Sequence, residues 1–245
     1  MQIEALGRDG QVGTVTTAGA TETQIDPPHP VGPFRGIKNT LEGLLAFGMK
    51  REVFRRADSG VWVRMMKGIE KPLPDRELTI EEEMELALED VGGINAVEPD
   101  GTKGLFAFGM RGEIWRYRSG AWVKVDSPTN LMLTDATAFA DKSVFACGQS
   151  GTLLNGAGDL WGVFKYVGPP RLDFVSICSF KGSLFIADGH SLRVLEDGEL
   201  KLVDFGTKEI VPCAVVTAGP GCILSVAGQE VWESTNGRAW NSILG

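Results

Sequence analysis

Histidine and tyrosine are scarce in this sequence, because its 245 residues contain only two of each. His29 and His190 are the only sources of imidazole, which is too little for a multi-histidine metal site or for two independent histidine-based catalytic devices. Tyr117 and Tyr166 are the only residues that could supply a tyrosine nucleophile. A histidine-centred mechanism would therefore have to rest on a single residue, and we predict no metal site and no cofactor.

Paired cysteines and long apolar runs are also missing. Cys147, Cys178, Cys213 and Cys222 lie singly in apolar stretches without CxxC spacing, so we predict buried free thiols. No apolar run approaches the roughly 18 residues of a membrane span, and the first residues, MQIEALGRDG, do not resemble a secretory signal. The expectation is a cytoplasmic protein without a membrane partner.

Positive charge is not in excess either. The formal net charge is −8 and the isoelectric point is about 4.9. Binding to nucleic acid through its phosphates needs a concentrated basic surface. The composition therefore disfavours a nucleic-acid partner.

What the sequence does contain is a repeat. The segment GLLAFGMKREVFRRADSGVWVRM (43–65) matches GLFAFGMRGEIWRYRSGAWVKV (104–125) almost position by position. Weaker copies recur along the chain, and their turn glycines are Gly7, Gly48, Gly109, Gly148, Gly189 and Gly228. Successive glycines are separated by 39 to 41 residues, apart from one interval of 61 that contains an insertion of about 20.

The repeat predicts an all-β fold. Each copy has runs of four to eight residues rich in Val, Phe, Ile and Trp, broken by Gly, Asp or Ser, which indicates antiparallel strands joined by tight turns. Four strands per forty residues is the spacing of β-propeller blades. We predict a single β-propeller domain over residues 1–245, closed into a ring of about six short four-stranded blades, with copies near 4–25, 35–65, 92–125, 134–166, 174–203 and 212–244.

The first copy has no run that could serve as an innermost strand. Either the first blade keeps three strands, or the first residues pair with the last blade to close the ring.

A tryptophan recurs just after a small-residue turn in four copies, as Trp62, Trp122, Trp161 and Trp240. A recurring tryptophan is typical of packing between blades rather than of a ligand site.

The stretch STNGRAW (234–240) resembles the Asp-box turn of sialidase-like propellers, with Asn236 in place of the usual Asp. That turn is structural, and without an assignable arginine triad the resemblance does not extend to sialidase activity.

One element stands outside the repeat, namely KGIEKPLPDRELTIEEEMELALEDVGG (67–93). A capping-box spacing from Thr79 to Glu82, acidic residues in the first turn and a Gly92-Gly93 stop predict an inserted helix within residues 73–92. Its apolar residues, Ile80, Met84, Ala87, Leu88 and Val91, fall on one face, which should dock on the protein.

The insertion also concentrates charge, because residues 67–90 carry nine acidic and three basic side chains. One interpretation is a solvated helix that aids solubility. The other is a docking surface that steers a basic partner electrostatically. For that second case the predicted partner-binding residues are Glu81, Glu82, Glu83, Glu85, Glu89 and Asp90.

The stretches SPTNLMLT (127–134), VFACGQSGTLL (144–154), LWGVF (160–164) and LKLVDFG (200–206) resemble a group of bacterial cytosolic β-propeller proteins. These are regarded as immunity proteins of the polymorphic toxins of secretion systems. The resemblance covers most of residues 33–245 and implies a binding protein without catalytic residues. We expect the protein to be a monomer in the absence of its partner. Its partner would be a toxin domain, which the acidic insertion suggests is basic, and the protein would occlude the toxin's active site.

Two other functions remain open at this stage. A glycosidase-like or lyase-like propeller would need a facing pair of carboxylates, for which Asp100, Asp135, Asp173 and Asp188 are candidates, although ordinary turn chemistry explains each of them. An assembly scaffold without inhibitory function is the third candidate.

Overall fold

The computed structural model describes residues 2–26, 32–70, 79, 81, 92–169 and 171–244. These residues form 23 β-strands and two short 3₁₀ turns, Met110–Gly112 and Gln149–Gly151. The strands form six separate antiparallel sheets, and within each sheet the strands pair in sequence order. The prediction of an all-β chain built from six repeated sheets is confirmed.

The chain divides into two compact units, residues 1–125 and 126–245, with three sheets in each. In unit 1, sheet 1 contains β1 (Gln2–Leu6), β2 (Gln11–Thr16) and β3 (Gly19–Gln24). Sheet 2 contains β4 (Phe34–Thr40), β5 (Gly43–Gly48), β6 (Val53–Arg56) and β7 (Trp62–Arg64). Sheet 3 contains β8 (Ile94–Pro99), β9 (Leu105–Gly109), β10 (Ile114–Arg118) and β11 (Ala121–Val125).

Unit 2 repeats the pattern. Sheet 4 contains β12 (Leu133–Ala138), β13 (Val144–Gly148), β14 (Leu153–Ala157) and β15 (Leu160–Val163). Sheet 5 contains β16 (Ser176–Phe180), β17 (Ser183–Ala187), β18 (Leu192–Glu196) and β19 (Glu199–Leu202). Sheet 6 contains β20 (Val215–Ala218), β21 (Ile223–Ala227), β22 (Glu230–Ser234) and β23 (Asn241–Leu244). The single-domain assignment over residues 1–245 stays a prediction.

Sheet 1 has three strands, which corresponds to the first of the two predicted alternatives. In sheets 2, 4 and 5 the second strand contacts the first strand of the next sheet, as the pairs β5 and β8, β13 and β16, and β17 and β20 show. Strand β1 contacts β4, the first strand of sheet 2, in the same way. We infer that β1 is equivalent to a second strand and that sheet 1 lacks the innermost strand of the repeat.

The hydrophobic core of each unit lies between neighbouring sheets. In unit 1, Leu45 and Val53 of sheet 2 pack with Ile94 and Trp122 of sheet 3. In unit 2, separate clusters join sheet 4 to sheet 5 and sheet 5 to sheet 6. The middle sheet of each unit, sheet 2 or sheet 5, has a neighbouring sheet on both faces, so its second strand is buried along almost its whole length, as β5 and β17 show.

The recurring tryptophan is buried in the core in two of its four copies. Trp122 is 2% exposed and Trp240 is 7% exposed, whereas Trp62 and Trp161 are half-buried. The indole Nε1–H of Trp122 donates to the carbonyl of Met65 at 2.8 Å, which ties sheet 3 to the end of sheet 2. The prediction that Trp122 belongs to the core is confirmed.

All four cysteines are free thiols. Cys147, Cys178 and Cys213 are buried as predicted, but Cys222 is half-buried, because it lies in the turn just before β21.

Candidate functional site

The predicted partner-binding residues lie almost entirely outside the part of the chain that the structure describes. Glu81 is described and exposed, as is Thr79, the predicted cap of the helix. Glu82, Glu83, Glu85, Glu89 and Asp90 are outside the described residues, so the helix and its role stay predictions. The structure does define the surface from which this segment departs and to which it returns.

Both ends of the insertion are on one edge of unit 1. Strands alternate in direction, so the turns after the second strands of sheets 2 and 3 (residues 49–52 and 110–113) share an edge with the segment that joins the two sheets. We call this edge, with the flanking residues 65–70 and 92–93, the insertion edge.

The outgoing limb is anchored in the core. Met66 is 5% exposed and Ile69 is 4% exposed, and both belong to the cluster between sheets 2 and 3. The backbone N–H of Trp122 donates to the carbonyl of Lys67 at 2.8 Å. Gly68 has a φ of 88°, and a Cβ atom there would lie 2.2 Å from the carbonyl oxygen of Trp122, so only glycine fits.

The returning limb is held by the backbone. The N–H of Lys50 donates to the carbonyl of Gly92 at 2.8 Å, and the N–H of Met110 donates to the carbonyl of Gly93 at 3.1 Å. Gly92 lies directly on the guanidinium of Arg51, because a Cβ atom at this position would be 2.3 Å from Arg51 Cζ. The limb therefore reaches sheet 3 in a fixed place.

Two buried carboxylates brace the insertion edge. Arg51 donates to both carboxylate oxygens of Glu113 at 2.7 Å, and Arg64 donates to those of Glu52 at 2.8 and 2.7 Å. Both glutamates are at least nine-tenths buried, and hydrogen bonding to Glu52 raises the pKa of Arg64. Bidentate pairs of this kind fix geometry as well as charge.

These ion pairs are not among the features predicted from the sequence. The available signal was the repeated pattern Gly-Met-x-x-Glu, which places Glu52 and Glu113 four residues after Gly48 and Gly109. Once the copies of the repeat are aligned, a glutamate that recurs at one position next to arginines indicates a structural ion pair.

Charge is unevenly distributed within unit 1. Residues 67–90 carry nine acidic and three basic side chains, whereas the rest of residues 1–125 carries ten acidic and thirteen basic side chains. The acidic insertion therefore arises from a unit whose remaining residues have a net positive charge.

The four carboxylates considered for an enzyme are occupied by structural hydrogen bonds. Asp100 accepts from the backbone N–H groups of Thr102 and Gly104 and from Arg116, and Asp188 accepts from those of His190 and Ser191. Burial alone would raise the pKa of each carboxyl, but these hydrogen bonds outweigh it and lower both pKa values. A lowered pKa is opposite to what a general acid needs.

Asp135 and Asp173 differ from the predicted turn chemistry. Asp135 accepts from the N–H of Ile177 and the hydroxyl of Ser176, so it joins the innermost strands of sheets 4 and 5. Asp173 accepts from the N–H of Ser150 at 2.7 Å and fixes the turn after β13. All four carboxylates thus hold the backbone in place.

The turn at STNGRAW has the hydrogen bonds of a capped structural turn. The side-chain oxygen of Asn236 accepts from the N–H groups of Arg238 and Ala239 at 2.8 Å, and Ser234 accepts from Gly237. The likeness to an Asp box stays a prediction.

Within the described residues, no group of three or more His, Cys, Asp or Glu side chains could hold a metal ion. No helix found there is long and apolar enough to cross a membrane.

The fold places the chain in a known class. It aligns with the WD40 β-propeller domain of Doa1 over 98% of its length and 77% of that domain, with a TM-score of 0.62 and 14% identity. It aligns with YCF48, in a structure bound to a D1 peptide, over 98% of its length and 76% of that chain, with a TM-score of 0.67 and 10% identity. The chain has the β-propeller fold.

No protein-family model matches the sequence. A specific relative does, however: over 243 residues the chain is 33% identical to the immune protein Tsi7 of Pseudomonas aeruginosa strain PAO1. The match covers 97% of this chain and 74% of that protein. The chain belongs to the family of the immune protein Tsi7.

Proposed function

We propose that this protein is an immunity protein, a propeller that binds a cognate bacterial toxin and neutralises it without catalysis. The observation that carries this proposal is its membership of the Tsi7 family. The fold agrees with a binding role, since a rigid sheet framework presents loops and insertions on its edges, where such proteins place function.

We further propose that the acidic insertion is part of the toxin-binding surface. It is the one segment outside the repeat, and both of its limbs are fixed to the insertion edge through Ile69, Gly92 and Gly93. A rigid base reduces the freedom that is lost on binding. Its carboxylates, of which Glu81 is described and exposed, would meet a basic toxin surface such as an active site that handles an anionic substrate.

In this proposal the protein is a monomer in the cytoplasm of the producing cell, where it binds one toxin domain. No nucleic acid, membrane, metal or cofactor enters this proposal. The carboxylates that an enzyme would need, Asp100 and Asp188 among them, are engaged in turns and ion pairs.

The test of the binding surface is a charge-neutralised variant that carries Glu81→Gln, Glu82→Gln, Glu85→Gln and Asp90→Asn. Its association with the cognate toxin, sought first among the products of the neighbouring genes, is measured by stopped-flow or surface plasmon resonance at two salt concentrations. We expect association to slow by about tenfold or more at low salt, with the difference shrinking as salt screens the charges.

The matched control carries the same change in charge at exposed residues of unit 2, Asp159→Asn, Glu196→Gln, Asp197→Asn and Glu199→Gln. It should associate within about twofold of the unmodified protein, because only charges near the interface steer association strongly. Equal rates for all three proteins at both salt concentrations would remove the insertion from the binding surface.

A further inference from the structure

Sheet 1 ends at β1, whose outer side pairs with no strand among the described residues. In the other five sheets, that side of the second strand is covered by the first strand of the sheet. The N–H of Gly7 donates to the carbonyl of Gln11 in β2, so the alternation of an antiparallel ladder turns the N–H and C=O of Leu6 away from β2. An edge of this kind can pair with a further strand.

The turn after β1 is the same as the turn after the second strand of sheets 2, 3 and 4. In those three sheets the N–H of the repeat glycine donates to the carbonyl four residues later at 2.9 to 3.0 Å, and the N–H of Gly7 does so at 2.7 Å. Sheets 5 and 6 have a different turn, in which Gly189 and Gly228 have a positive φ. The turn of sheet 1 should therefore be compared with those of sheets 2, 3 and 4.

In those three sheets the turn holds the residue that precedes the first strand. The N–H after the glycine donates to the carbonyl of this residue at 3.0 to 3.1 Å, and a Cβ atom on the glycine would lie 2.1 to 2.6 Å from the same oxygen. These carbonyls belong to Pro33, Gly93 and Met132.

Sheet 1 has the same turn without such a carbonyl. The equivalent donor is the N–H of Arg8, which has no hydrogen-bond partner among the described residues. The atom nearest to a Cβ atom at Gly7 would be a side-chain oxygen of Asp9 at 2.9 Å, rather than the backbone of another strand. The turn is thus already shaped to hold the start of an extended segment.

Sheet 2 would flank a strand at this edge. First strands of neighbouring sheets contact one another, as β4 and β8 or β16 and β20 do, and β4 also contacts β1. Leu6 of β1 and Ile37 of β4 are half-buried and pack at the margin of the cluster between sheets 1 and 2. An extended segment beside β1 would cover more of both side chains.

We propose that the edge of β1 binds an extended segment of the cognate toxin, which becomes the first strand of sheet 1. Strand addition obtains its affinity from backbone hydrogen bonds and its selectivity from alternate side chains. The segment should carry apolar side chains at the positions that face Leu6 and Ile37, and no proline where it pairs with β1. Because β4 lies next to β1, the edge accommodates a single strand better than the edge of another whole sheet, so we assign it to the toxin rather than to a second copy. This inference rests on the proposed function.

Hydrogen exchange followed by mass spectrometry compares the free protein with its complex with the purified cognate toxin. Overlapping peptides from residues 2–8 should exchange about tenfold more slowly in the complex, because N–H groups such as those of Leu6 and Arg8 become hydrogen-bonded. Peptides from β3, residues 19–24, are the control. Strand β3 is the other edge of the same sheet and should exchange alike in both states.

Gly7→Ala separates docking from folding. Its methyl group would lie where sheets 2, 3 and 4 place the carbonyl before the first strand, whereas in the free protein it meets only the movable side chain of Asp9. The variant should bind the toxin at least about tenfold more weakly and should unfold at the same urea concentration as the unmodified protein. Gly13→Ala makes the same change in β2, where nothing lies within 4 Å of the added atom, and should bind as tightly as the unmodified protein.

Equal toxin affinity for Gly7→Ala and the unmodified protein, or unchanged exchange of residues 2–8 in the complex, would overturn this inference and leave the proposed function intact. Slow exchange of the Leu6 and Arg8 amides in the free protein would also overturn it, because the edge would be paired without the toxin. Protection that appears only at high concentrations of the protein alone would assign the edge to a second copy and would likewise overturn it. Failure to form any complex would overturn the proposed function and this inference together.

Discussion

Trp122 illustrates how a single residue of the repeat stabilises the fold. Its indole is 2% exposed, contacts Tyr117 with ring centroids 5.2 Å apart, and donates a hydrogen bond to the carbonyl of Met65. An aromatic side chain that fills the space between two sheets leaves a large cavity when it is removed. The hydrogen bond adds a polar tie at the same place.

We expect Trp122→Ala to lower the free energy of unfolding by about 3–5 kcal/mol, because of the cavity and the unpaired carbonyl. Chemical denaturation followed by circular dichroism measures this loss. Trp161→Ala serves as the comparison and should cost less, since Trp161 is half-buried. A loss below about 1 kcal/mol for Trp122→Ala would contradict the packing account.

Asp100 links a single carboxyl to the pH dependence of stability. Burial tends to raise its pKa, but hydrogen bonds from Thr102, Arg116 and Gly104 outweigh burial and lower the pKa. A carboxyl whose pKa is lower in the folded state stabilises the protein above its unfolded pKa of about 4 and loses this contribution as pH falls through the folded pKa.

Asp100→Asn should therefore destabilise the protein most at neutral pH, and the difference from the unmodified protein should shrink as the pH falls below about 4. Urea unfolding at pH 7 and pH 3 provides the comparison. Asp126→Asn, at an exposed carboxyl, should change the unfolding free energy little at either pH. A difference for Asp100→Asn that grows on acidification would contradict the assignment.

At the scale of elements, the repeated glycine ends the second strand of sheets 2, 3 and 4 because of close packing, whereas Gly189 and Gly228 have a positive φ and open space around them. Gly109 and Gly148 are extended, with φ values of −155° and −174°. A Cβ atom at either position would lie 2.1 Å from a carbonyl oxygen of the residue before the first strand of the same sheet, Gly93 or Met132. The glycine permits a bulge there, which the register shift between Ile94 and Ala96 records.

Gly109→Ala should lower the free energy of unfolding by about 1–3 kcal/mol, because the added methyl group displaces the neighbouring backbone. Gly162→Ala is the matched change, since Gly162 also lies in a strand, β15, and nothing lies within 4 Å of a Cβ atom at this position. It should change stability by less than about 1 kcal/mol. Equal costs for the two substitutions would show that close packing is not the reason for the repeated glycine.

The same elements show what the sequence could predict. The period of the glycines and tryptophans was enough to predict the antiparallel sheets and the burial of Trp122, because both follow from local patterns, repeated six times for the glycines and four times for the tryptophans. The Arg51–Glu113 and Arg64–Glu52 pairs were missed, because the repeat marks the two glutamates but not their partners, which are 62 and 12 residues away and meet them only through the packing of the turns. Asp135 was interpreted as a turn residue for the same reason, since its partner Ser176 belongs to another sheet.

At the scale of the whole molecule, the proposed binding surface is an irregular segment on a regular framework. The sequence identified the acidic insertion by its break in the repeat, and the structure adds the edge to which Ile69, Gly92 and Gly93 hold it. The identity of the toxin could not be predicted, since partner choice depends on the surface of a second protein. Membership of the Tsi7 family gives the class of function and the reason to look for that toxin.

The most direct test of the central claim is a titration of toxin activity. The cognate toxin, sought first among the products of the neighbouring genes, is held at a fixed concentration well above the dissociation constant, and its activity is measured as this protein is added. A protein that neutralises by binding should reduce activity linearly to zero at one equivalent, and the intact toxin should be recovered after the complex is denatured and separated. Complete inhibition at a small fraction of an equivalent would indicate catalysis, and full activity at several equivalents would contradict the account altogether.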